Sequence, residues 1–92
     1  MSLLSLNTPA TTQKALADWC RQQRKANGFK SRKAFSEVCG VPAETIKRFE
    51  NTGLISLSQF LLIFSALDSI DKLNDLIQQQ PKPKSIAEIK NG

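Results

Sequence analysis

The sequence predicts an all-α fold of five helices. Three observations carry this. Apolar residues recur at three- and four-residue spacing from Leu16 to Ile77. Capping and stop signals divide that stretch into five segments. No stretch of any length alternates with the period of a strand, and there is no internal repeat.

Each element follows from its own signals. Residues 1–8 form a leader containing Leu3, Leu4 and Leu6. Thr8-Pro9 pairs a cap with a proline at the first helical position, so a helix starts there and runs to about Ala26. Leu16, Trp19 and Cys20 mark its buried stripe, with Trp19 read as a core residue. Asn27-Gly28 ends it, because both residues tolerate left-handed geometry. Ser31 is the cap of a second helix over 32–39 that buries Phe35 and Val38. Gly40 stands where the chain turns sharply, and Val41 fills the corner. Pro42 begins a third helix at its first turn, where a missing N–H costs nothing. Its Ile46 and Phe49, three apart, face the core, and Asn51-Thr52-Gly53 stops it. Ser56 caps a fourth helix with Leu57, Phe60, Leu61, Phe64 and Leu67, the central core helix. A fifth, over about 70–79, has Leu73, Leu76 and Ile77 as its apolar stripe. Asp68, Asp71 and Asp75 near its start favour the helix dipole and need no other role. The run from Gln78 to Lys84 then breaks the pattern.

Domain organisation is simple. Ninety-two residues, 40% of them apolar, suit one domain. Roughly 60–65% of such a chain's surface can be buried, enough for one modest core. The domain is expected over 9–80, with a flexible tail over 81–92. Ile86 and Ile89 in that tail could form one turn of helix on a partner.

Composition excludes several function classes. Two cysteines, Cys20 and Cys39, with no histidine cannot make a four-ligand structural zinc site. They read as reduced core thiols of a cytoplasmic protein. No run reaches transmembrane length, and the opening residues lack the basic region of a signal peptide. There is no histidine for general-base work, no glycine-rich phosphate loop and no paired carboxylates. The expectation is therefore a non-enzyme without metal, cofactor or membrane partner.

Charge points elsewhere. The net charge is +5, with 13 Lys+Arg against 8 Asp+Glu. Between Arg21 and Arg48 lie eight cations and only Glu37 and Glu44 as anions. The remainder has five cations and six anions. A localised basic patch suits a polyanionic partner, although a plain solvated basic surface is the commoner explanation of such a run.

The segment 31–53, SRKAFSEVCGVPAETIKRFENTG, places two short helices around a glycine turn inside that patch. From about Arg21 to Ile77 the chain resembles the phage-repressor-like (Cro/cI, or XRE) helix-turn-helix family. The resemblance is carried by Arg32 opening the second helix, Phe35 and Ser36, the turn Gly40-Val41, then Ile46, Phe49-Glu50 and the closing Gly53. Ser56-Leu57 through Leu67 resembles that family's fourth helix. The departures are Ser36 where alanine is usual, Pro42 where a serine or threonine cap is common, and one extra residue both at Thr52 and before Ser31. The RFENTG-ISL pattern and the Leu73–Leu76 helix look most like HipB-type antitoxins.

The resemblance implies a five-helix lambda-repressor-like domain acting as a homodimeric repressor on palindromic double-stranded operator DNA. It also implies a HipA-like kinase toxin as a second partner. Ala43, Glu44, Lys47 and Arg48 are the implied base contacts. Arg48 can take guanine O6 and N7, Lys47 guanine or phosphate, Glu44 cytosine N4 and Ala43 a thymine methyl. Glu44 and Arg48 could instead form only an i,i+4 ion pair on a solvated face. Lys30, Ser31, Arg32, Lys33, Asn51 and Thr52 are the implied phosphate contacts. Arg24 and Glu50 are the implied structural ion pair. The dimer contact would use the fifth helix, with the leader either joining it or packing on its own domain. Three other readings stay open: a module that chiefly binds or inhibits a toxin, a non-specific nucleic-acid binder that uses only the basic patch, and a stand-alone regulator outside any toxin–antitoxin system.

Overall fold

A computed structural model of the chain describes residues 8–79. These residues form five helices and no strand: α1 (Pro9–Ala26), α2 (Arg32–Cys39), α3 (Ala43–Thr52), α4 (Leu57–Leu67) and α5 (Asp71–Gln78). The expectations for residues 1–7 and for the tail lie outside the described residues.

α1 opens with a reciprocal cap. The Thr11 N–H donates to Thr8 Oγ1, and the Thr8 N–H donates to Thr11 Oγ1, both at 3.1 Å. Two donors that the helix cannot satisfy are thus satisfied. Its buried stripe is Ala17, Cys20 and Arg24. Of the expected stripe, Cys20 is buried and Trp19 packs against the core, whereas Leu16 gives way to Ala17. Leu16 is 36% exposed, and Trp19 is half-buried against Phe64, ring centroids 5.9 Å apart. The reason is steric. α1 packs on its neighbours at a small side chain, fully buried Ala17, so the larger Leu16 lies beside the contact.

α2 is capped by Ser31, whose Oγ accepts from the Ala34 N–H at 3.1 Å. It buries Phe35 and Cys39, one turn apart. The expectation that Val38 is buried fails, since it is 58% exposed. Val41, 1% exposed, fills the corner between α2 and α3, and the buried face of α2 is the one that carries Phe35 and Cys39.

Pro42 caps α3 from outside and is not its first residue. Its ψ of 142° is extended, while its carbonyl accepts from the N–H groups of Thr45 and Ile46, both at 3.0 Å. Ile46, Phe49 and Glu50 point inward. α4 is capped by Ser56, which accepts from the Gln59 N–H at 3.2 Å. It buries Ile63, Phe64 and Leu67, with Phe60 and Leu61 half-buried. Leu57, expected in the core, is 72% exposed. A helix this apolar offers several possible inward stripes, and packing on α1 and α2 selects the one centred on Ile63.

The core lies where α1 and α2 pack against α3 and α4. Phe35, Ile46, Phe49 and Ile63 are its largest fully buried members. α5 stands outside this packing: none of its residues is buried, and Leu76 and Ile77 are 65% and 77% exposed.

Candidate nucleic-acid interface

The α2–α3 unit is built from local chemistry. Gly40, at φ +80°, closes α2 in the left-handed region, and its N–H donates to the Ser36 carbonyl at 2.9 Å. Buried Val41 and extended Pro42 then redirect the chain into α3. With Ile46, Phe49 and Glu50 held inward, helical geometry turns the remaining residues out. Glu44, Lys47, Arg48, Asn51 and Thr52 are exposed, and Ala43 is half-buried. The outward side of α3 therefore carries polar groups able to donate and accept. Among the described residues, Glu44 and Arg48 form no ion pair with each other. Among the described residues, Lys47 and Arg48 are exposed and take part in no ion pair.

Arg48 and Glu44 do not stand alone. Together with Thr45 they line a surface hollow of about 730 Å³, with Gln13 from α1 and Ser56 and Gln59 from the start of α4. Sequence reading did not include Gln13, Thr45, Ser56 or Gln59 among the site residues. Ser56 carries a local signal as a cap. Gln13 carries none, because it joins the site across forty positions of chain, its Nε2–H donating to the Gly53 carbonyl at 3.3 Å.

The second group surrounds the start of α2. Lys30, Ser31 and Lys33 are exposed and Arg32 is half-buried. The Ser31 hydroxyl accepts from Ala34, and its proton remains available to an outside acceptor. Thr52 differs. Its O–H donates to the Arg48 carbonyl at 2.6 Å, and its oxygen accepts from the Leu54 N–H at 3.1 Å. Its one proton is thus engaged by the end of its own helix, where an unpaired carbonyl would otherwise stand.

Beneath both groups lies a buried ionic cluster. Arg24 Nε–H donates to Glu50 Oε2 at 2.7 Å, and its Nη2 donates to Oε1 at 3.2 Å. Both side chains are 2% exposed. Arg24 Nη1 also donates to the carbonyls of Phe29 and Lys30, at 2.7 and 3.1 Å, which ties the α1–α2 connection to α1. Arg32 is a third member, its Nε–H donating to Glu50 Oε1 at 2.9 Å. Among the described residues, no buried side-chain nitrogen or oxygen lacks a partner.

Cys20 lies near this cluster. Burial, aided by the negative charge of Glu50, pushes its thiol up to about 12. Both cysteines are free and buried. Among the described residues, no cluster of His, Cys, Asp or Glu could hold a metal, and no helix is long and apolar enough to cross a membrane. No family model, curated protein or solved structure matches the chain.

Proposed function

We propose that the protein is a sequence-specific DNA-binding repressor that acts as a homodimer. The observation that carries this reading is the outward side of α3. It holds Glu44, Lys47, Arg48 and Asn51 exposed, opposite three buried residues and at the end of a short glycine turn from α2. A helix of this kind fits the major groove, whose base edges match arginine, lysine and carboxylate side chains. The local excess of positive charge supports the same reading. In it, Arg48 and Lys47 contact bases, with Glu44 and Ala43 beside them. Lys30, Ser31, Arg32, Lys33 and Asn51 contact phosphate.

A domain of this size reads only a few base pairs, so a dimer on a palindrome with half-sites about 34 Å apart supplies useful affinity. The exposed apolar residues of α5 support a self-association surface. The same residues favour a second reading, in which the chain chiefly binds another protein. The resemblance to HipB-type antitoxins makes a HipA-like kinase toxin the partner to try. In that case the repressor would regulate its own toxin–antitoxin operon in the cytoplasm.

The test is a titration with the duplex lying upstream of the protein's own gene, against a scrambled duplex, at about 150 mM salt. A preference above roughly a hundredfold supports the repressor. Arg48→Ala should then cost about 1–3 kcal/mol and relax the preference at one base position. Equal, steeply salt-dependent binding to both duplexes would overturn it.

A further inference from the structure

Glu50 holds two arginines, and they are not equivalent. Arg24 spends three of its nitrogens inside the domain, on the Glu50 carboxylate and on two backbone carbonyls. Arg32 gives only its Nε–H, to Glu50 Oε1 at 2.9 Å. Its η nitrogens meet no protein acceptor among the described residues, and its side chain is 29% exposed where that of Glu50 is 2%. One carboxylate between two guanidiniums leaves one positive charge over. That charge resides on the arginine that reaches solvent. A partly desolvated, unmatched cation favours a bound anion.

The shape is as informative as the charge. A guanidinium presents its N–H groups in a rigid planar fork that matches the paired oxygens of a phosphate. Held by Nε, the Arg32 fork has already lost much of the rotamer freedom that a free arginine loses on binding. Lys30, whose carbonyl is tied down by Arg24, and Lys33 flank it in the chain and are both exposed.

We infer that Glu50 is a positioning residue for Arg32, holding its guanidinium by Nε so that the η edge is a preset seat for one phosphodiester group. This rests on the DNA-binding reading above and adds to it the geometry that makes one phosphate contact directional. Glu50 itself touches no nucleic acid.

The experiment compares the whole chain with Arg32→Lys and Arg32→Gln, binding the same duplex over a range of salt. Both substitutions fall at a partly exposed side chain, and circular dichroism checks that each variant folds. A seat that needs the fork predicts that both variants lose roughly tenfold in affinity. Only Arg32→Gln should lower the salt slope, by about one. Wild-type affinity in Arg32→Lys would reduce Arg32 to an unpositioned charge and overturn the proposal. Unchanged affinity and slope in Arg32→Gln would overturn it as well.

An NMR arm separates this inference from the reading beneath it. The Arg32 Nε–H resonance should be resolved in the free protein, move on addition of dimethyl phosphate, and broaden in Glu50→Gln. If the duplex is not bound but this resonance behaves so, the repressor reading fails and the preset phosphate seat stands. If the resonance is already averaged with solvent in the free wild type, the seat does not exist.

Discussion

At the scale of single residues, two glycines look alike in sequence and differ in their surroundings. Gly40 and Gly53 both end helices with φ near +80°. A Cβ at Gly40 would meet open space. One at Gly53 would lie 3.1 Å from the backbone carbon and oxygen of Gln13 and 3.2 Å from the Lys14 nitrogen. Gly40→Ala should therefore lose only the left-handed backbone penalty, about 1 kcal/mol. Gly53→Ala adds a tight contact with the α1 backbone and should lose more, about 2 kcal/mol or above. Urea unfolding of the two variants checks this, and equal losses would mean that the α3–α4 turn moves freely away from α1. Cys20 yields a pH prediction. Its thiol is raised to about 12 in the fold, against about 8.5 in an unfolded chain. Below the lower value both states hold the proton and stability is unaffected. As pH rises above it the unfolded state loses the proton first, so stability falls by up to about 1.4 kcal/mol per unit until the folded thiol ionises. Unfolding midpoints between pH 8 and 10 should fall more steeply for the wild type than for Cys20→Ala. Parallel slopes would show that the buried thiol is not linked to folding.

At the scale of elements, signals local in the chain match the helices well. Thr8, Ser31 and Ser56 cap where their side chains can reach the first free N–H groups, and Gly40 and Gly53 stop helices where only a glycine turns without strain. The inward faces were less legible. Val38 and Leu57 are as apolar as the residues that are buried, and only the neighbouring helices decide between them. α5 is amphipathic, and none of its residues is buried among the described residues. Lys72 and the Ser69 N–H both donate to Asp68, holding its carboxyl below the usual range and fixing the α4–α5 junction. In the proposed dimer, α5 finds its partner in a second copy. Leu76→Lys with Ile77→Lys should then leave stability within about 0.5 kcal/mol per site, since both side chains are exposed among the described residues. Sedimentation should drop from a dimer to a monomer. A double variant that stays dimeric would place the interface elsewhere.

At the scale of the whole molecule, two surfaces with different chemistry emerge. The stretch from Arg21 to Arg48 carries the excess cations. α5 and its junction carry Asp68, Asp71 and Asp75 with the exposed apolar residues. In the proposed reading the first meets the polyanion and the second meets a protein. Among the described residues, the number of helices, most of their ends and the turn before α3 were determined by the sequence itself, because capping, proline geometry and left-handed glycine act within a few residues. The resemblance implies Arg24 against Glu50, twenty-six positions apart. No local pattern implies Arg32 as their third member, or Gln13 beside Arg48. Those contacts were decided by tertiary structure alone. An ion pair or a shared hollow requires that distant side chains meet, and that depends on which apolar stripe each helix turns inward. Packing settles that choice by shape, with Ala17 and Val41 occupying the tight places and Leu16, Val38 and Leu57 displaced to the surface.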